Sequence, residues 1–165
     1  MTTVVYSRPH KTMCADSKVS PDGGRMIKIV KHKDTGDLCG IAGSLTIASR
    51  FLRAFTETSA RRPSSPGSLG TPDSSDMPTL NASSNNPGDS GEALIVRADT
   101  GAVEYWDQDG YGEFYDKYYA IGSGNKYALG VLWAGLLPRE AIMAASKMDP
   151  CTGGRIVTLK LDKEA

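Results

Sequence analysis

The sequence predicts an α+β domain in which two antiparallel sheets pack together and carry helices on their outer faces, a four-layer αββα sandwich. Three observations lead there. Four short β-rich segments separated by turn residues open the chain, which implies antiparallel hairpins. A helical period takes over at Ser44. More strands, two further helices and a final strand complete the order.

The strands come first. Thr3–Ser7 and Thr12–Asp16 flank Arg8-Pro9-His10-Lys11, a turn by composition. Ser20-Pro21-Asp22-Gly23-Gly24 turns again into Arg25–Lys31, and Asp34-Thr35-Gly36-Asp37 leads to Leu38–Ala42. In Ser44–Phe55 the apolar residues Leu45, Ala48, Phe51, Leu52 and Phe55 recur at i, i+3 and i+4. Arg50 and Arg53 point elsewhere, so this is an amphipathic helix reaching about Thr58. Pro, Ser, Gly, Asn and Thr then dominate residues 60–91, a composition that cannot bury enough surface to order itself. We expect a long insertion loop there. Glu92–Ala98 and Ala102–Trp106 read as strands, Asp107–Glu113 as a turn, and Tyr118–Ile121 as a strand. Asn125–Ala134 and Pro138–Lys147 read as helices, the second with its proline in the first turn. Ile156–Leu161 alternates as the last strand.

At 165 residues the chain is one domain, able to bury roughly two-thirds of its unfolded surface. No stretch approaches the ~20 apolar residues that span a bilayer and no signal-type apolar run follows Met1, so the expectation is no membrane and a cytoplasmic address. Three cysteines without a CxxC pattern indicate neither a disulfide framework nor a zinc site, and no cofactor is implied. The formal net charge is zero, yet residues 1–64 hold 11 Lys/Arg against 5 Asp/Glu and residues 65–165 hold 8 against 14. The basic half is scattered and barely interleaved with aromatics, which argues against nucleic acid.

Chemistry enters at the N-terminus. Removal of Met1, usual before a small residue, would expose Thr2, and an N-terminal threonine carries its own base in the free α-amine. Asp16 and Lys28 supply a carboxylate and an ammonium. Each residue also has an ordinary reading: Lys28 as one of several solvated lysines, Asp16 as a strand-closing turn residue, Ser123 in Gly122-Ser123-Gly124 as a turn, Gly43 as an aid to packing.

Seven segments in order change that balance: Thr2-Thr3-Val4-Val5, Ala15-Asp16, Lys28-Ile29-Val30, Gly40-Ile41-Ala42-Gly43-Ser44, Ala93–Val96, Ala120–Gly124 and Asp149–Gly154. Together they resemble the N-terminal-nucleophile (Ntn) hydrolases of the proteasome β-subunit kind, HslV-type bacterial peptidases among them. The resemblance covers the chain almost end to end, apart from residues 59–91. It implies Thr2 as nucleophile, Lys28 as the ammonium that keeps the α-amine neutral, and Asp16 as its partner. It implies the Gly43 N–H as oxyanion donor, worth about 2.7–4 kcal/mol. Ser123, Asp149 and Thr152 match the shell around the amine, with Thr152 where the family more commonly has Ser. The implied activity is threonine-type endopeptidase action on unfolded polypeptides inside a homo-oligomer, with an ATP-dependent unfoldase as a partner.

Two departures qualify this. The hairpin between Thr2 and Asp16 is about two residues short. Residues 59–91 also replace the second helix of a packed pair that makes ring–ring contacts in the family, so in place of the standard two-ring assembly the expectation is a single ring, an open helical stack or a smaller oligomer. Pocket specificity is expected near Ser17–Ser20, Lys31 and Ala42–Leu45, where Lys31 would favour acidic or polar side chains. A second reading is a catalytically silent structural subunit, and a third is small-molecule amide hydrolysis on the same fold. Gly88-Asp89-Ser90-Gly91 resembles a serine-protease nucleophile segment, but His10 and His32 lack the context of its base. Asp107-Gln108-Asp109-Gly110 fails as a calcium loop because Tyr111 stands where an oxygen ligand is needed. Gly122-Ser123-Gly124 opening a helix is weak evidence for a phosphate site.

Overall fold

The pleat of a strand sends successive side chains to opposite faces, and the first strand shows why that matters. In β1 (Thr3–Ser7) Val4 and Tyr6 enter the space between the sheets, while Val5 faces the helical layer. The computed structural model describes residues 2–19, 24–58, 80 and 90–162. Met1, most of the expected turn at 20–24 and most of the 60–91 insertion lie outside these residues, as do 163–165.

The elements run β1, β2 (Thr12–Ala15), β3 (Ile29–Lys31), β4 (Leu38–Gly43), α1 (Leu45–Thr58), β5 (Gly91–Val96), β6 (Val103–Asp107), β7 (Gly110–Phe114), β8 (Tyr118–Gly122), α2 (Asn125–Trp133), α3 (Pro138–Met148) and β9 (Val157–Lys160). One sheet has the order β8-β1-β2-β9 and the other β3-β4-β5-β6-β7, with every pairing antiparallel. Helix α1 lies on the outer face of the second sheet, and α2 with α3 on the outer face of the first. The expected two-sheet sandwich is therefore the observed fold.

Three apolar layers hold it together. Between the sheets pack Val4, Tyr6, Met13, Ile29, Leu38, Leu94, Val96 and Ile121. Under α1 sit Phe51, Phe55, Ile41, Ile95 and Trp106, and under α2 and α3 sit Val5, Cys14, Leu132 and Ile142. Sheet closeness is set at Gly40, where a Cβ would stand 2.5 Å from Val4 Cγ1. Any side chain there would push β4 from β1.

Three expectations are corrected. Arg25–Lys31 is a strand only over Ile29–Lys31; earlier, Arg25 bridges Lys18 and Met26 N–H donates to Ser17, so the chain leaves the sheet and carries Lys28 back over Asp16. Asp107–Glu113 is not one turn, because Gly110–Phe114 forms β7. Two glycines hide that strand, and its pairing is carried by Tyr111 stacked on Trp106 with ring centroids 4.8 Å apart. Leu45, placed on the apolar face of α1, is 54% exposed at the rim of the pocket described next.

Candidate active site

Asp16, the residue after β2, is fully buried, and a buried carboxylate must find donors. It finds four. Its Oδ1 accepts the Thr3 N–H at 2.9 Å and Lys28 Nζ at 3.0 Å; its Oδ2 accepts the Lys18 N–H at 3.2 Å and the Gly153 N–H at 2.9 Å. Lys28, itself buried, also donates to the Lys18 carbonyl. Burial pushes the Lys28 ammonium below its ordinary range, and the Asp16 charge and hydrogen bond oppose that.

Thr2, one residue before β1, is buried on the inter-sheet side with Lys28 and Gly43 around a pocket of about 140 Å³. Val19, Met26, Ile41, Ser44, Leu45 and Ala48 complete its lining. Gly43 has φ +145°, and a Cβ on it would stand 2.7 Å from the Ser90 carbonyl oxygen, so only glycine fits this strand-to-helix corner. The pocket is mostly apolar. Lys31 lies outside it, ion-paired to Asp162 at 2.6 Å, so the expectation that Lys31 would favour acidic side chains there is corrected.

Asp149, Ser123 and Thr152 form a second cluster. Ser123 Oγ and Thr152 Oγ1 each donate to Asp149 Oδ2 at 2.5 Å, and the Cys151 N–H donates to Oδ1 at 3.0 Å. Burial pushes the Asp149 carboxyl up, but these hydrogen bonds outweigh it and hold the group below its ordinary range. The cluster joins the first through the backbone: the Ser123 N–H donates to the Thr2 carbonyl at 2.9 Å. Gly122, at φ +89°, makes that approach possible, since a Cβ there would sit 1.7 Å from the Thr2 carbonyl oxygen.

The structure thus gathers Thr2, Lys28 and Gly43 about one pocket, with Asp16 holding Lys28, and ties the cluster of Ser123, Asp149 and Thr152 to it through the Thr2 carbonyl. Two residues escaped the sequence reading. Thr3 hydrogen-bonds Thr152 through its side chain, and its place beside Thr2 was the only available signal. Glu92 lies on the other side of the Gly122 turn, with Tyr105 Oη donating to it at 3.4 Å; burial pushes its carboxyl up, against hydrogen bonds from Tyr105 and the Gly122 backbone. An isolated Glu in an apolar strand carries no sequence signal. Among the described residues no group of His, Cys, Asp and Glu is arranged to hold a metal ion, and no helix is long and apolar enough to cross a membrane.

The sequence matches no protein-family model and no curated protein. Solved structures do match. BPH from Thiobacillus denitrificans, in complex with epoxomicin, superposes with a TM-score of 0.64 at 18% identity, covering 98% of this chain and 100% of that one. Eukaryotic HslV from Trypanosoma brucei gives 0.61 at 16% identity, covering 96% and 99%. The Anbu (Gly-1) mutant from Hyphomicrobium sp. strain MC1 gives 0.64 at 12%, covering 96% of this chain and 80% of that one. What this chain shares with them is the fold, two antiparallel sheets packed face to face with helices on their outer faces.

Proposed function

We propose that the chain is a threonine-type peptidase whose nucleophile is Thr2 once Met1 is removed. The observation that carries the reading is the single pocket shared by Thr2, Lys28 and Gly43, with Lys28 held on Asp16. Thr2 Oγ attacks the scissile carbonyl while its α-amine takes the hydroxyl proton. The positive charge of Lys28 disfavours a second cation beside it and keeps that amine in its basic form. The oxyanion forms against the Gly43 N–H. The amine then returns the proton to the leaving nitrogen, and water hydrolyses the acyl ester by the same relay.

The apolar lining from Val19, Met26, Ile41, Leu45 and Ala48 favours an uncharged, mid-sized side chain on the acyl side of the cut. Unfolded polypeptide is the substrate class this suits, inside a homo-oligomeric chamber fed by an ATP-dependent unfoldase. The BPH structure with epoxomicin supports such inhibitor chemistry as a probe.

Intact mass before and after incubation with epoxomicin tests the reading. Loss of Met1 and one adduct on wild type, with neither adduct nor peptide hydrolysis in a folded Thr2→Ala variant, is the expected result. Hydrolysis retained by Thr2→Ala overturns it. Retained Met1 without an adduct favours the silent subunit, because the α-amine then belongs to the wrong residue.

A further inference from the structure

Thr2 and Thr3 are chemically identical neighbours that the pleat sends to opposite faces. Thr2 lines the pocket; Thr3, fully buried, turns toward the helical layer. There its Oγ1 lies 2.6 Å from Thr152 Oγ1 and accepts the Gly124 N–H at 3.1 Å. Counting hydrogens fixes the direction of the chain. Each threonine hydroxyl has one proton, and that of Thr152 is committed to Asp149. The proton between the two threonines must therefore come from Thr3. The polarity runs from Gly124 N–H to Thr3 to Thr152 to Asp149, where Ser123 donates from the other side.

Gly124 supplies a second, independent observation. Its backbone, at φ −89° and ψ 8°, is open to any residue, so no conformational demand calls for glycine. Space does: a Cβ there would stand 2.3 Å from Thr3 Oγ1 and 3.0 Å from Thr152 Oγ1. The helix α2 start is kept bare, without a side-chain cap, where the Thr3 hydroxyl sits.

We propose that Thr3 is a positioning residue for the site: its hydroxyl orients Thr152, and through it Asp149, behind the Thr2 nucleophile. The inference rests on the peptidase reading for its catalytic meaning but not for its geometry. Thr3 makes no contact with substrate in this role.

The test compares Thr3→Val, which keeps the shape and deletes the donor, with Thr3→Ser, which keeps it. The first readout is the titration of the Asp149 carboxyl by NMR. In Thr3→Val the carboxyl moves upward from its wild-type position, and in Thr3→Ser it returns. The second is peptide hydrolysis, where Thr3→Val loses about tenfold or more in kcat with KM little changed, a loss typical of removing a second-layer partner. Should Thr3→Val not fold, Thr3→Cys offers the same volume with a weaker donor and carries the same comparison. An Asp149 titration unchanged in the folded variant overturns the proposal. No epoxomicin adduct on wild type together with a shifted Asp149 would remove the peptidase reading and leave the hydroxyl chain standing. A normal adduct with an unshifted Asp149 would do the reverse.

Discussion

Asp16 shows how one buried side chain can hold a site together. Its four donors come from the first strand, from the Lys18 backbone, from the loop carrying Lys28 and from the loop after α3. Replacing it with Asn turns one acceptor into a donor that must face existing donors, and leaves the Lys28 ammonium buried without a counter-charge. Breaking a buried pair from one side costs about 3–5 kcal/mol. Asp16→Asn should lower the urea-derived stability by that order, and an unchanged midpoint would show that water has replaced the carboxylate. Asp16, Lys28 and Thr2 were legible in the sequence because their types and order resemble a known constellation. Thr3 was not, since its role depends on the pleat and on Gly124, which stand 121 residues apart in pairing. Distance across the fold leaves no mark on a single sequence.

Elements were legible where their period was strong. Helix α1 reads clearly from its apolar spacing, and β1 from its β-rich composition beside the turn at Arg8–Lys11. Strand β7, with its two glycines, exists because β6 offers Trp106 and a free edge, a tertiary fact that propensity does not carry. The same gap appears at Leu80, inside a segment whose composition predicts no burial. Leu80 packs with Ile47, Phe51 and Phe55 in the layer under α1, and its carbonyl accepts the Gly91 N–H at 3.1 Å. A Cβ on Gly91 would meet Ile47 at 2.8 Å and Leu80 at 3.3 Å, so the strand start is bare where these side chains close over it. Leu80→Ala should therefore cost about 2–4 kcal/mol in denaturant unfolding, as for other buried leucines. A surface-like change within about 0.5 kcal/mol would mean that Leu80 does not seat under α1.

At the scale of the whole molecule, the two sheets are fastened at both ends of β1, and only one end carries the candidate chemistry. Thr2 stands at the start of the strand; Arg8 follows its last residue, which places the two roughly 20 Å apart at about 3.3 Å per residue. Arg8 reaches from the first sheet to the second, donating to the Gly101 carbonyl at 2.7 Å, the Asp116 carbonyl at 3.1 Å, the Phe114 carbonyl at 3.2 Å and the Tyr119 hydroxyl at 3.1 Å. Gly101 lies in the connection before β6, Phe114 ends β7, and Asp116 lies in the connection after it. Arg8→Ala removes a charged donor from all of them, at about 1.5–3 kcal/mol for hydrogen bonds of this kind, discounted toward the lower figure because part of the guanidinium meets solvent. The fold should loosen at that end while Asp16, Lys28 and the Gly122–Gly124 turn hold the other. The expected outcome is a lowered Tm with an epoxomicin adduct forming on Thr2 at the wild-type rate below the transition. A slowed adduct in fully folded Arg8→Ala would mean that β1 transmits the loss along its length, and that the two fastenings act as one.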